Sequence, residues 1–241
     1  MGLFAKKACY LLLYIAGLAP AFAGTSSVPL FTANYILHHN QLEIGRVKLS
    51  VTALANQRYQ LTSATRSSGL LSFIKHHTLH ESSLFELNGN NIRPLSYQYL
   101  KQSSDHKKEV NLRFNWEKLK VTNSSDGDHW SMPIRHGVLD KALLQIALMR
   151  DLSQSNNKPS YQVADGGKLK QYSFRTLGTE PLNVDGKSYQ TIKLARTKDQ
   201  HESITYYWCA PALANIPVLL QREKKYGLFE MRLQNVNFKQ K

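Results

Sequence analysis

Cysteine is almost missing from this chain: its 241 residues hold two, Cys9 and Cys209. Cys9 falls in an N-terminal stretch read below as a leader, so the processed chain keeps one thiol and forms no intramolecular disulfide. Stability must come from packing. Acidic side chains are scarce as well, 17 Asp and Glu against 31 Lys and Arg. The formal net charge of +14 makes anionic partners the ones its field attracts. After residue 23 no apolar run approaches the roughly 20 residues that cross a bilayer as a helix. The chain has no G-x-S-x-G elbow, no H-E-x-x-H pair and no phosphate-binding glycine loop. Those absences remove the readiest routes to a hydrolase, a zinc protease or a nucleotide enzyme. There is no helix-turn-helix and no aromatic-basic RNA-binding signature, so nucleic acid is not an expected partner. No cofactor is expected.

What is present begins with "MGLFAKKACYLLLYIAGLAPAFA", a basic start at Lys6 and Lys7, an apolar run from Ala8 to Ala19, and Ala21-Phe22-Ala23 as a small-x-small cleavage site. This predicts export to the periplasm, cleavage after Ala23, and one β-rich domain over 24–241. Lys7 and Ala8 before Cys9 do not make the apolar lead-in of a lipidation site. Loss of Lys6 and Lys7 takes the net charge from +14 to +12. For an exported chain the anionic partners are lipid headgroups, lipopolysaccharide or acidic glycans. The cations are scattered along the sequence, as at Lys107-Lys108 and Lys224-Lys225, which favours a solvated basic surface over a single dedicated patch.

Period-two alternation dominates the rest. In "KEVNLRFNWEKLKV", Val110, Leu112, Phe114 and Trp116 alternate with Asn111, Arg113 and Asn115, giving a strand with one buried face. Similar patterns occur at Val47, Leu49, Val51; at Leu95, Tyr97, Tyr99; at Ile192, Leu194; and at Phe229, Met231, Leu233. Asp-Gly and Asn-Gly turns separate them, as in "NGNN", "SSDGD", "ADGG" and "VDGK". About ten to twelve strands are expected, in a large curved antiparallel sheet, half-barrel or barrel. "GVLDKALLQIALMRDLSQ" breaks the pattern and predicts one helix over about 140–152, with Asp140 as its cap and a wide apolar face lying against the sheet.

The chemistry-bearing residue types have plainer explanations. Cys209 lies opposite Trp208 on a strand ended by Ala210-Pro211, with no neighbouring cation to lower its pKa, and reads as a structural residue. His76, His77 and His80 in "IKHHTLHESS" would gather around zinc only on a helix, whereas their flanks favour a strand, and His38-His39 sits in an expected turn. No metal site is predicted. Asp126 and Asp128 flank a hairpin turn rather than forming a calcium loop. No catalytic residue is assigned.

The order of landmarks has a likeness. "YILHHNQLEIGRVKLSV", "YQLTSATRSSGLLSFI", "HESSLFELNGNNIRPLSYQY", "LRFNW", "VLDKALLQIALMRDL", "YSFRTLGTEPLNVDGKSYQTIKLAR" and "YYWCAPALANIPVLLQREKKYGLFEMRL" together resemble the domain of unknown function 3108 family of exported gram-negative bacterial proteins. Gly45, Ser68-Gly69, Pro94, Trp116, Asp140, Gly178, Gly186, Trp208 and Pro217 carry the match. The resemblance implies a periplasmic β-rich domain and brings no activity with it. By architecture alone the chain is also similar to periplasmic half-barrels that carry lipids or lipoproteins.

These readings lead to a non-enzymatic periplasmic binding protein. Its sheet and helix would enclose an apolar groove for a lipid or other hydrophobic anionic ligand, with Tyr97, Tyr99, Trp116, Tyr172, Phe174, Tyr206 and Trp208 as wall residues. The alternatives are a closed core filled by those aromatics, an envelope scaffold that binds another protein or the peptidoglycan, and a hydrolase of unrecognised type.

Overall fold

The computed structural model describes residues 28–69, 78–89, 91–125, 127–156, 158–198 and 204–239. The leader, His76, His77 and Asp126 lie outside the described residues. The strands in chain order are β1 (Phe31–His39), β2 (Leu42–Ala53), β3 (Arg58–Ser67), β4 (Thr78–Asn88), β5 (Asn91–Gln102), β6 (Lys107–Asn115), β7 (Lys120–Ser125), β8 (Asp128–Pro133) and β9 (Leu139–Asp140). Helix α1 (Leu144–Ser153) follows, then β10 (Ser160–Asp165), β11 (Lys168–Val184), β12 (Lys187–Lys198), β13 (Thr205–Ala210), β14 (Ile216–Lys224) and β15 (Gly227–Phe238). A single 3-10 turn, Pro211–Leu213, joins β13 to β14.

All fifteen strands belong to one sheet, ordered β8-β7-β6-β5-β4-β3-β2-β1-β15-β14-β13-β12-β11-β10-β9. Two meanders run outward from the centre, and the first and last strands of the chain meet there as the antiparallel pair β1–β15. Polar two-residue turns set the hairpins, with Asn40 and Gln41 both at positive φ between β1 and β2, and Asp185-Gly186 between β11 and β12. The curved antiparallel sheet is as expected from alternation. The number of strands is larger, because β8, β9 and β10 are short and carry too little alternation to read as strands.

The sheet curls without closing through backbone hydrogen bonds, and β8 and β9 are its two edges. Its inner face is lined by alternate residues, Phe31, Ala33 and Tyr35 on β1 and Val47, Leu49 and Val51 on β2, all buried. Helix α1 fills the space they enclose. Leu143, Ile146 and Leu148 have no exposed surface and join the cluster that contains Phe31, Phe85, Leu194, Tyr207 and Leu233. The Asn215 side-chain amide donates to the Met149 carbonyl at 3.2 Å, tying the helix to the β13–β14 connection.

The helix begins four residues later than predicted, at Leu144 rather than 140. Asp140 belongs to β9, and its carboxylate accepts the Leu143 amide at 3.0 Å, so it caps the turn at 141–143 that leads into the helix. Replacing Ile146 by Ala should cost about 2–5 kcal/mol of stability, because a filled interior leaves the cavity unhealed. Urea unfolding followed by circular dichroism reads this as a lower midpoint at unchanged slope.

Candidate functional site

Where the curled sheet meets itself, β9 packs against β5, and side chains rather than a ladder hold the seam. Ser83 on β4 and Asp140 on β9 are both fully buried, and the Ser83 hydroxyl donates to Asp140 Oδ2 at 2.5 Å. Tyr97 donates to Glu81 at 2.6 Å, and Tyr172 to Asp165 at 2.9 Å. The Lys141 ammonium lies 5.6 Å from the Tyr99 ring centre. Glycine is required at 167 on the far side, since φ is +75° and an added Cβ would stand 2.5 Å from Trp130 of β8. Burial dominates the electrostatics here and raises the Asp140 carboxyl from 3.8 to about 7 against the hydrogen bonds from Ser83 and the turn amides. Burial likewise pushes the Tyr97 phenol well up, with Glu81 adding to it.

Tyr97, Tyr99 and Trp116 share the smaller apolar cluster at this seam, whereas Tyr172, Phe174 and Trp208 belong to the main core with Tyr206 packed against it. The cleft beside Tyr97 and Tyr99 measures about 150 Å³, under the roughly 300 Å³ at which ligand pockets begin. The expected wall residues are thus divided between two clusters. Phe174 packs edge-on against Tyr207 in the main core, with centroids 5.4 Å apart. Trp116 falls beyond the end of β6, stacks on Phe114 and His136, and donates its indole N–H to the Pro94 carbonyl at 2.7 Å. Tyr206 and Trp208 take the sheet face opposite Tyr207 and Cys209, where Lys193 lies over the Trp208 ring at 4.8 Å. The seven do not share a wall, and α1 packs directly into the core cluster of the sheet, where the apolar groove was placed.

Cys209 has no exposed surface, and burial pushes its thiol far up, away from the thiolate. That geometry suits packing. His39 ends β1 rather than lying in a turn, stacked on Phe229 at 4.4 Å. Among the described residues no three His, Cys, Asp or Glu side chains gather as metal ligands.

A cleft of about 780 Å³ is on the outer face of β15-β1-β2-β3. Two register shifts lie along β1, the first of them among the cleft's lining residues. β1 slips against β15 between Asn34 and Tyr35, leaving Gln234 as the extra residue, and against β2 between Leu37 and His38, leaving Ile44. Bulges strengthen local twist and re-aim side chains. The wall carries Arg46, Lys48 and Arg66 beside Ile36, Ala64 and Asn34, with no carboxylate among the described residues lining it. Arg46 and Arg66 stand directly opposite each other across β2 and β3. The nearest acid, Glu43, accepts from Ser68 at 2.6 Å and from Arg46 at 3.0 Å, and these bonds hold it below the ordinary carboxylate range. The sequence hinted at this site only through "GRVKLSV", which sets Arg46 and Lys48 on the wet face of β2. Their meeting with Arg66 depends on strand register.

With the site in view, comparison with known proteins places the chain. A family model described as "Protein of unknown function (DUF3108)" matches residues 33–234. The chain belongs to this family. No curated protein matches it. A crystal structure of a β-barrel-like protein of domain of unknown function DUF1849 from Brucella abortus superposes with a TM-score of 0.59 at 7% identity, covering 89% of this chain and 99% of that one. At that identity the likeness speaks of the fold. The open, barrel-like sheet is thus shared, and no helix among the described residues is long and apolar enough to cross a membrane.

Two outcomes follow from the buried groups. Folding favours protonated Asp140, so this group's contribution is fullest below pH 4 and is lost as pH rises through about 7. Asp140→Asn should remove a loss of roughly 2–4 kcal/mol between pH 4 and pH 8, seen as a flatter plot of thermal midpoint against pH than the parent shows. Cys209 should resist iodoacetamide in the native state and react only on unfolding, as mass spectrometry of the labelled chain would report.

Proposed function

We propose that the protein is a non-enzymatic binding protein of the periplasm that holds an anionic, partly apolar envelope component in the outer groove of β15-β1-β2-β3. The observation that carries this reading is the juxtaposition of Arg46 and Arg66 in a cleft of about 780 Å³, with Lys48 beside them. Like charges directly opposite on a sheet are unfavourable by themselves, and a bound anion turns that arrangement into a favourable one. Guanidinium groups take phosphate or carboxylate oxygens in pairs, which suits a lipid headgroup. Ile36 and Ala64 give the start of an acyl chain an apolar surface. The leader sequence supports the periplasmic location, and the net charge of +12 left after its removal supports the sign of the ligand. Asp140 and Cys209 are committed to the seam and the core, which favours binding over catalysis.

Calorimetric titration with short-chain phosphatidylglycerol below its micelle concentration tests the proposal. Binding should be seen, should be absent with short-chain phosphatidylcholine, and should weaken about tenfold or more in Arg66→Glu. Equal binding of both lipids, or an unaffected Arg66→Glu, contradicts it. In the ligand-free protein Arg66→Gln should leave stability unchanged or raise it by on the order of 0.5 kcal/mol, since it relieves a like-charge pair.

A further inference from the structure

One end of the same sheet carries a surface suited to a different partner. Among the exposed large apolar side chains of the described residues, the two most exposed are Tyr226 at 76% and Leu42 at 67%. Single exposed apolar residues are ordinary on any protein. These two, however, sit on hairpins that the β1–β15 ladder makes neighbours. Asn40 in the β1–β2 turn donates its backbone N–H to the Leu228 carbonyl at 2.9 Å, and its side-chain Oδ1 accepts the Leu228 amide at 2.9 Å. His39 Nε2 lies 3.0 Å from the Tyr226 carbonyl, and Leu42 is the cross-strand partner of His39. Gly227 has φ +132°, and a Cβ there would strike the Asn40 amide, so the close approach of the two turns depends on glycine.

The result is a platform whose two tips are tied by hydrogen bonds, which lowers the entropy lost when it docks. Cations frame it. The Lys224 ammonium lies 5.0 Å from the Phe229 ring centre, and that of Lys225 lies 5.5 Å from the Tyr226 ring. Glu223 is the exposed acid beside them, and Glu43 is bound to Arg46 and Ser68. Tyrosine and leucine at a tip with lysines drawn along their sides match the layered chemistry of a membrane surface, where rings and aliphatic groups enter the headgroup zone and ammonium groups stay with its phosphates.

We propose that the joined tips of the β1–β2 and β14–β15 hairpins dock on an anionic lipid bilayer, through Leu42 and Tyr226 with Lys224 and Lys225. This goes beyond ligand binding in the groove and does not depend on it. Co-sedimentation of the exported protein with vesicles of phosphatidylglycerol and phosphatidylethanolamine, against phosphatidylcholine vesicles, provides the test. Binding should require the anionic vesicles and fall with added salt. The pair Leu42→Ser and Tyr226→Ser should weaken it about tenfold or more, and Lys224→Glu with Lys225→Glu should do likewise. Leu54→Ser, just beyond the opposite end of β2, should leave binding as it was. Absence of vesicle binding, as expected if the platform receives a protein instead, overturns the proposal. So does binding that survives both tip variants. Loss in Arg66→Glu alone would assign membrane contact to the groove and also overturn it.

Discussion

The pairing of β1 with β15 is the constraint on which the rest of the molecule depends. Thirteen of the other strands are placed by short-range hairpins or by the crossover through α1, and each half of the chain makes its own meander. Joining the halves requires contacts across some two hundred residues, as in Asn34 with Asn235, whose side chains bond at 2.8 Å. Such closure carries an entropic cost and is slow, and the β1–β15 ladder together with burial of Phe31, Ala33, Tyr35 and Leu233 in the core helps to offset it. Both surfaces to which we assign function straddle this ladder. The groove includes Asn34, Gln234 and Asn235 at the register slip between β1 and β15, and the docking platform exists because β1 and β15 bring two turns together.

The inner face does a different job. Its aromatic and aliphatic residues meet a helix that is buried along most of its length, so the enclosed space is occupied by the chain itself. At the seam, closure without a ladder leaves polar groups to be satisfied by one another, and Ser83, Asp140, Glu81 and Tyr97 do so in pairs. A buried carboxyl with a pKa near neutrality is the electrostatic consequence of that arrangement. It sits where the β9 edge packs against β4 and β5.

Much of the architecture was legible in the sequence, because alternation reports which face is buried and Asp-Gly or Asn-Gly reports where the chain reverses. The strands at Val47–Val51, Val110–Phe114 and Phe229–Leu233, the turn at Asp185-Gly186 and the single helix all read correctly. Short strands such as "DHWSMP" and "SYQVAD" did not, since packing against neighbours fixes them more than pattern does. The placement of aromatics was legible only to the level of strand face. Tyr207 and Tyr206 are adjacent in sequence, yet one enters the core and the other turns outward, and "TYYWCA" is apolar on both faces, so periodicity could not choose between them. The basic groove was hidden for another reason: Arg46 and Arg66 meet through register, and Gln234 reaches them through a bulge, neither of which a local pattern encodes.

The central claim is that function lies on the outer surface of the chain-closing strands and not in the interior. Amide chemical-shift mapping during titration with short-chain phosphatidylglycerol tests it most directly. The account predicts shifts concentrated in Ile36, Arg46–Lys48, Ala64–Ser68 and Gln234-Asn235, with α1 and the Tyr97–Tyr99 seam unchanged. Shifts centred on α1, Tyr97 or Asp140, with the β1, β2 and β3 outer face silent, would contradict it.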